Sequence, residues 1–315
     1  MSDPILLISG DSFSEQERTR LETALGSAFV AGPSDMAALP DAVRNSVRAI
    51  AVKGHHPLGG AEMDLFPNLG VIANYGVGYD AIDVAAATER GIKVTNTPDV
   101  LNDDVADLAV AMLIAQCRNM VAGDDLVRSG RWSAGENLPL NRQMSGSTVG
   151  IIGLGRIGRE IADRLAAFKC DIHYTSRSRK ETPGWTFHAS PEEMAEAVDI
   201  LVVALVGGAE TEKHVSRQVI DALGPRGIVI NISRGSTIDE AALLDALEEG
   251  RIAGAGLDVF LNEPKIDPRF LKLDNVHLQP HQGSGSSETR GRMAKLQLAN
   301  IEAFLAGDPL KTPVN

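Results

Sequence analysis

The chain has 315 residues, 43% of them apolar, enough for about two domains that each bury a core. A formal charge of -12, with one short basic run at Arg177 to Lys180, argues against nucleic acid as a partner. Met1 to Gly10 has no basic n-region, and nothing later approaches a membrane-spanning apolar stretch, so a cytoplasmic protein with no membrane partner is expected.

Pro4 to Ser9 reads as an apolar strand, and Ser14 with Glu17 forms a capping box ahead of a helix ending near Gly26. Apolar runs at Ala49 to Val52, Leu69 to Ala73 and Ile92 to Thr95 alternate with helical or turn sequence, which predicts a parallel α/β domain. After Pro98 an apolar-periodic run, Val105 to Val127, predicts a helix that carries the chain into a second domain. Cys117 and Cys170 have no C-x-x-C spacing and read as buried thiols.

The most informative stretch follows. Thr148 to Ile152 is a strand, Gly153-Leu154-Gly155-Arg156-Ile157-Gly158 a glycine turn, Ile157 to Phe168 a helix, and Asp171 to Thr175 a second strand. In such a unit Gly153 permits the tight turn, Gly155 lets a pyrophosphate approach the backbone, and Gly158 lets the helix pack close to the sheet. The free N–H groups at the helix start, from Arg156 onward, then receive phosphate. Further strands at Ile200 to Leu205, Gly227 to Ile232, Ala253 to Val259 and Asn275 to Leu278 predict a six- or seven-stranded doubly wound sheet. The last helix, Ser286 to Ala306, has no strand to follow and is expected to pack on the first domain. The predicted fold is therefore α/β with two doubly wound parallel domains. Residues 1–99 with 286–315 form a flavodoxin-like substrate domain, and residues 100–285 a Rossmann-type dinucleotide domain.

The residue after the second dinucleotide strand decides between coenzymes. A carboxylate there would bind the ribose hydroxyls of NAD and repel a phosphate. The chain has Ser176 instead, followed by Arg177, Ser178, Arg179 and Lys180. A hydroxyl beside a guanidinium suits a 2′-phosphate, so NADP is the expected cofactor, with NADPH preferred over NADH. A solvated basic loop is the alternative reading.

Ligands of open α/β sheets bind beyond the carboxyl ends of the strands. Arg234, Glu263 and His281 each follow such a strand and can converge on one cleft; a surface Arg, a loop Glu and a solvated His are equally open on position alone. At this point the chain resembles the D-isomer-specific 2-hydroxyacid dehydrogenases. The likeness runs through Asn74-Tyr75-Gly76-Val77-Gly78-Tyr79-Asp80, Asn96-Thr97-Pro98, Val149 to Gly158, Asn231-Ile232-Ser233-Arg234-Gly235, Gly256-Leu257-Asp258-Val259-Phe260 with Glu263-Pro264, and Pro280-His281 with Gly283-Ser284. Within the family it is most similar to glyoxylate/hydroxypyruvate reductases and hydroxyphenylpyruvate reductases.

The resemblance implies two domains around a cleft, reduction of small 2-keto acids to D-2-hydroxy acids, and a homodimer. It places the catalytic Arg, Glu and His on Arg234, Glu263 and His281. His281 would give the proton, since imidazole titrates near neutrality. Glu263 would orient its ring, and Arg234 would hold the substrate carboxylate with a planar fork. Lys53, Gly54, Val77 and Gly78 would also face substrate, the backbone N–H groups of the last two forming an anion nest. Cofactor contacts are implied for Leu205, Val206, Thr211, Ile232, Ser233, Asp258 and Gly283. Where the family has a Pro-Leu-Thr-Pro-like turn, this chain has Val206-Gly207-Gly208, which puts any side-chain hydrogen bond there in doubt. His55 and His56 lack the spacing and companions of a metal site, and no metal is expected. Trp132 suits a pocket, a partner subunit or ordinary packing. An arylpyruvate reductase and a dinucleotide-sensing binding protein on the same fold are the alternative functions.

Overall fold

Short apolar runs between turns become parallel strands buried on both faces, and the helices that connect them supply the covering layers. The computed structural model describes residues 6–10 and 12–315, so Pro4 and Ile5 of the first predicted strand lie outside the described residues. Two compact units result, residues 1–101 with 286–315 and residues 102–285.

The first unit holds β1 (Leu6–Ser9), β2 (Ser27–Val30), β3 (Ala49–Val52), β4 (Val71–Asn74) and β5 (Lys93–Thr95). They form one parallel sheet in the order β2-β1-β3-β4-β5. The connections are the helices α1 (Glu15–Ala24), α2 (Pro33–Met36), α3 (Asp41–Ser46), α4 (Gly60–Met63) and α5 (Val84–Glu89). The Ser14–Glu17 capping box at the start of α1 is formed on both sides. Strand β2 escapes sequence reading because it is a four-residue edge strand with only Val30 buried. Leu7, Ile50, Ile72 and Val94 fill one face of the sheet, and Leu6, Ile8, Ala49, Ala51, Val71 and Ala73 the other.

The second unit opens with α6 (Asn102–Arg118) and α7 (Met120–Arg128). The single helix predicted over Val105 to Val127 is thus broken: Asn119 adopts the left-handed conformation (φ 47°), and the two helices meet at a 63° bend. Asn tolerates that region better than most residues, and its presence mid-run is the cause of the break. Both cysteines are free and buried, and burial raises their thiol pKa values. Seven strands follow: β6 (Thr148–Ile152), β7 (Asp171–Thr175), β8 (Thr186–His188), β9 (Ile200–Val203), β10 (Ile228–Asn231), β11 (Gly254–Leu257) and β12 (Val276–Leu278). Their order is β12-β11-β10-β9-β6-β7-β8, all parallel, with the direction of winding reversed between β6 and β9. That reversal opens a crevice at the carboxyl ends of the central strands. Helices α8 (Arg156–Ala167), α9 (Pro191–Ala197), α10 (Arg217–Leu223) and α11 (Glu240–Glu248) cover the sheet. Strands β9, β10 and β11 stop one or two residues short of their sequence-based ends, which leaves Leu205, Ile232 and Asp258 in the loops beyond them.

The closing helix α12 (Ser287–Ala306), capped by Ser286, belongs with the first unit. Its buried Gln297 amide donates to the Val52 carbonyl (3.2 Å) and the Ala73 carbonyl (2.8 Å), at the ends of β3 and β4. Beyond it Val314 N–H donates to the Val94 carbonyl at 2.8 Å, and the Asn315 side chain accepts from Val94 N–H at 2.8 Å. The last residues thereby add to the free edge of β5. Among the described residues no single helix is long and apolar enough to cross a membrane.

Candidate active site

The glycine turn between β6 and α8 is shaped by close approach. A Cβ on Gly158 would stand 2.0 Å from the Gly153 carbonyl oxygen, so this position excludes every side chain. A Cβ on Gly155, by contrast, would meet nothing within 4 Å. Gly155 is also the N-cap of α8 and offers no side-chain cap. The start of α8, at the positive end of the helix dipole, thus has no side-chain cap and has room where a Gly155 Cβ would stand, which fits a pyrophosphate. At the end of β7 no carboxylate follows Thr175; Ser176 hydrogen-bonds to the Ser178 carbonyl (2.6 Å), and Arg177 and Ser178 are exposed.

Beyond the ends of three neighbouring strands lie Arg234, Glu263 and His281. After β10, Asn231 braces the turn by accepting from Ser233 N–H (3.0 Å) and donating to the Arg234 carbonyl (3.0 Å). The Arg234 guanidinium donates to the Ser233 carbonyl at 2.7 Å. After β11, Glu263 accepts from Phe260 N–H at 2.8 Å with one oxygen. Its other oxygen lies 2.6 Å from His281 Nδ1. A carboxylate can only accept, so Nδ1 carries the proton and Nε2 remains the basic nitrogen.

His281 itself has φ 54°, a conformation costly for a residue with a Cβ. Asp258 sustains it. The Asp258 carbonyl accepts from His281 N–H (2.9 Å), and its two carboxylate oxygens accept from Gln282 N–H (2.6 Å) and Gly283 N–H (2.8 Å). Burial raises the Asp258 pKa, while those N–H donors and the His281 charge oppose the rise. Glu240, at the start of α11, is a comparable buried acid. It accepts from Leu261 N–H at 2.9 Å and so fastens the loop that carries Glu263, and burial raises its pKa. Sequence reading named Asp258 for the cofactor and did not name Glu240. Neither clamp has a sequence signature, because the partners lie more than twenty residues away.

The remaining predicted residues divide between committed and available groups. Ser233 bonds Thr237 through its hydroxyl (2.9 Å), and Ile232 and Ser233 are buried. Thr211 donates to the Val206 carbonyl at 2.6 Å, which folds the glycine-containing loop back on itself; Leu205 is half-buried and Val206 exposed.

In the first unit, Lys53 Nζ is held by both Glu17 oxygens (2.8 and 2.7 Å) and sits 4.7 Å from the Tyr75 ring centre, so its ammonium is already engaged. Gly54 follows at φ 114°. The carbonyls of Gly76, Val77 and Gly78 accept from Asn74, Asn96 and Thr97. The N–H groups of Val77 and Gly78 have no acceptor among the described residues. That is the geometry of an anion nest. His55 and His56 are exposed loop residues, and Trp132 is 59% exposed rather than packed.

A cavity of about 320 Å³ adjoins the imidazole–carboxylate pair. Phe260, Pro264, Ile266, Leu271, Leu278 and Pro280 give it apolar walls. Nothing in the sequence pointed to it, since its walls come from two separate loops, a short helical turn and a strand.

Residues 110–283 match the sequence model of the D-isomer specific 2-hydroxyacid dehydrogenase NAD binding domain. The chain is 47% identical over 269 residues to hydroxyphenylpyruvate reductase of Plectranthus scutellarioides, covering 85% of this chain and 86% of that one. It is also 47% identical over 274 residues to glyoxylate/hydroxypyruvate reductase A of Arabidopsis thaliana, covering 86% of each. The crystal structure of NADPH-dependent glyoxylate/hydroxypyruvate reductase from Sinorhizobium meliloti, in complex with NADP and malonate, superposes with a TM-score of 0.93. It is 43% identical and spans 99% of this chain and 97% of that one. With the glycine turn and the His–Glu pair, these likenesses establish that the chain belongs to the D-isomer specific 2-hydroxyacid dehydrogenase family.

Proposed function

We propose that the protein is an NADPH-dependent reductase of small 2-keto acids, glyoxylate and hydroxypyruvate first, with residues 100–285 binding the dinucleotide and residues 1–99 with 286–315 binding substrate. The observation that carries the reading is the 2.6 Å contact between Glu263 and His281 Nδ1. When bound, the reduced nicotinamide supplies a hydride to the keto carbon. His281 then gives its Nε2 proton to the carbonyl oxygen as that oxygen gains negative charge, and recovers one from solvent. Glu263 holds the ring with Nδ1 toward its carboxylate and Nε2 left to face the carbonyl oxygen. Arg234 pairs with the substrate carboxylate. In the first unit, the free N–H groups of Val77 and Gly78 suit a carboxylate.

The absence of an acid after β7, with Ser176 and Arg177 in its place, supports NADP over NAD. Oxidation of NADPH and of NADH, followed at the nicotinamide absorbance band with glyoxylate, hydroxypyruvate and hydroxyphenylpyruvate, tests the whole reading. It predicts NADPH with either small acid as the best pair, and no turnover with any of the three would overturn it. The apolar cavity beside His281 favours a second reading, an arylpyruvate reductase. A higher kcat/KM for hydroxyphenylpyruvate would establish that alternative.

A further inference from the structure

We infer that Tyr174 is a positioning residue for the coenzyme's 2′-phosphate; the inference rests on the NADPH reading above. Tyr174 is the penultimate residue of β7, 1% exposed, with its ring against Phe187 of β8 at 5.4 Å between centres. Its hydroxyl engages one residue twice, accepting from Lys180 N–H at 2.9 Å and donating to the Lys180 carbonyl at 3.1 Å.

The five residues between, Thr175 to Arg179, are thereby closed into a loop fastened at both ends. The β7 ladder holds one end and the tyrosine hydroxyl the other. The Ser176 hydroxyl braces it from within through the Ser178 carbonyl. Beyond the clasp, Arg159 of α8 donates to the Glu181 carbonyl at 2.9 Å and lies 4.7 Å from the Trp185 ring centre. The helix that offers its N-terminus to pyrophosphate is thus tied to the same segment.

The clasped segment is exposed and basic, and a loop of that kind loses conformational freedom when it closes on a ligand. Fixing Ser176, Arg177 and Ser178 beforehand removes part of that cost. A phenylalanine would pack against Phe187 equally well, so what the hydroxyl adds is the clasp. The clasped residues include none of the groups assigned to hydride or proton chemistry. A general structural role would serve NADH and NADPH alike; a clasp on this loop serves only the coenzyme that carries the extra phosphate.

The test is calorimetric titration of wild type and Tyr174→Phe with NADPH, NADH, adenosine 2′,5′-bisphosphate and 5′-AMP. The variant should bind NADPH and the bisphosphate about three- to tenfold more weakly, the worth of one or two neutral hydrogen bonds, and NADH and AMP within about twofold of wild type. The kcat at saturating NADPH should not change. In an Arg177→Ala background the effect of Tyr174→Phe should shrink, because the clasp acts in part through that guanidinium. Unchanged bisphosphate affinity, equal weakening of both coenzymes, or full additivity with Arg177→Ala would each overturn the inference. A wild type that binds NADPH and NADH equally would overturn the coenzyme reading itself and the inference with it.

Discussion

At His281 a strained backbone, a carboxylate partner and a buried turn clamp meet on one side chain, so its removal should separate chemistry from binding. His281→Asn should lower kcat by about a hundredfold or more while leaving NADPH affinity within about twofold, measured by steady-state kinetics and coenzyme titration. On the proposed function Arg234 binds substrate as well as polarising it, so it should behave differently. Arg234→Ala should raise KM, lower kcat and cost at least about 3 kcal/mol in kcat/KM. Arg234→Lys should recover part of that loss, since an ammonium carries the charge without the planar fork. Kinetics of the Lys variant equal to wild type would show that the fork is not used. Arg234, Glu263 and His281 could be singled out in the sequence because each lies within a few residues of a strand end and sits in a recognisable short motif. Their supports were not, because Asp258 reaches His281 and Glu240 reaches Leu261 only after the chain has folded.

Loops and helices carry the next two expectations. If the loop after β7 selects the coenzyme, Arg177→Ala should remove most of an NADPH preference of about ten- to a few hundredfold, and Ser176→Asp should reverse it, as kcat/KM for each coenzyme will show. In the first unit, α1 is tied to the end of β3 by Glu17 and Lys53, whose side chains are 16% and 14% exposed. Burial pushes the Glu17 pKa up, but Lys53, Ser14 and their hydrogen bonds outweigh it, and the net shift is down. For Lys53 burial wins and its pKa is also lowered, so the pair satisfies the acid more fully than the base.

An acid with a lowered folded-state pKa contributes stability above its unfolded value of about 4.3 and loses it as pH falls through the folded value. Glu17→Gln should therefore destabilise the protein by about 1–3 kcal/mol at pH 7, and the difference from wild type should shrink below about pH 4 in urea titrations. An equal difference at pH 7 and pH 3 would show that the pair's charge contributes nothing. At this scale sequence reading recovered the capping box, the βαβ unit and the alternation of strands and helices, all of them encoded in neighbouring residues. It missed β2 and β8, short edge strands with weak apolar patterning, and the break at Asn119, where one left-handed residue overrides an otherwise continuous periodicity.

For the whole molecule, both sheets were readable in type, and the second was expected to have six or seven strands and has seven. A homodimer is expected only through the family resemblance. What bears on it in the second unit is a set of exposed apolar side chains: Met120, Val121, Val127, Trp132, Leu140 and Phe168 are all exposed, and Leu138, Leu140 and Phe168 border a cavity of about 670 Å³. Exposed apolar side chains of this kind are what an interface between subunits would cover. A homodimer that covers this surface should be lost in Leu140→Asp, with sedimentation giving a monomer mass, whereas a wild-type monomer would refute the dimer outright.

The placement of α12 and the residues after it has a consequence for how the protein is made. The sheet of the first unit relies on Gln297 beneath β3 and β4 and on Val314 and Asn315 along β5, yet these are translated after the whole second unit. Translation at about 5–20 residues per second puts roughly ten to forty seconds between the emergence of residue 101 and that of residue 286. The second unit, continuous from 102 to 285, can finish folding within the nascent chain while the first waits with β3 and β4 uncovered. Chains held on the ribosome by a linker fused after residue 285, long enough to carry that residue out of the exit tunnel, should thus have a protease-resistant core from the middle of the sequence and a digestible N-terminal third, the reverse of the usual N-to-C order.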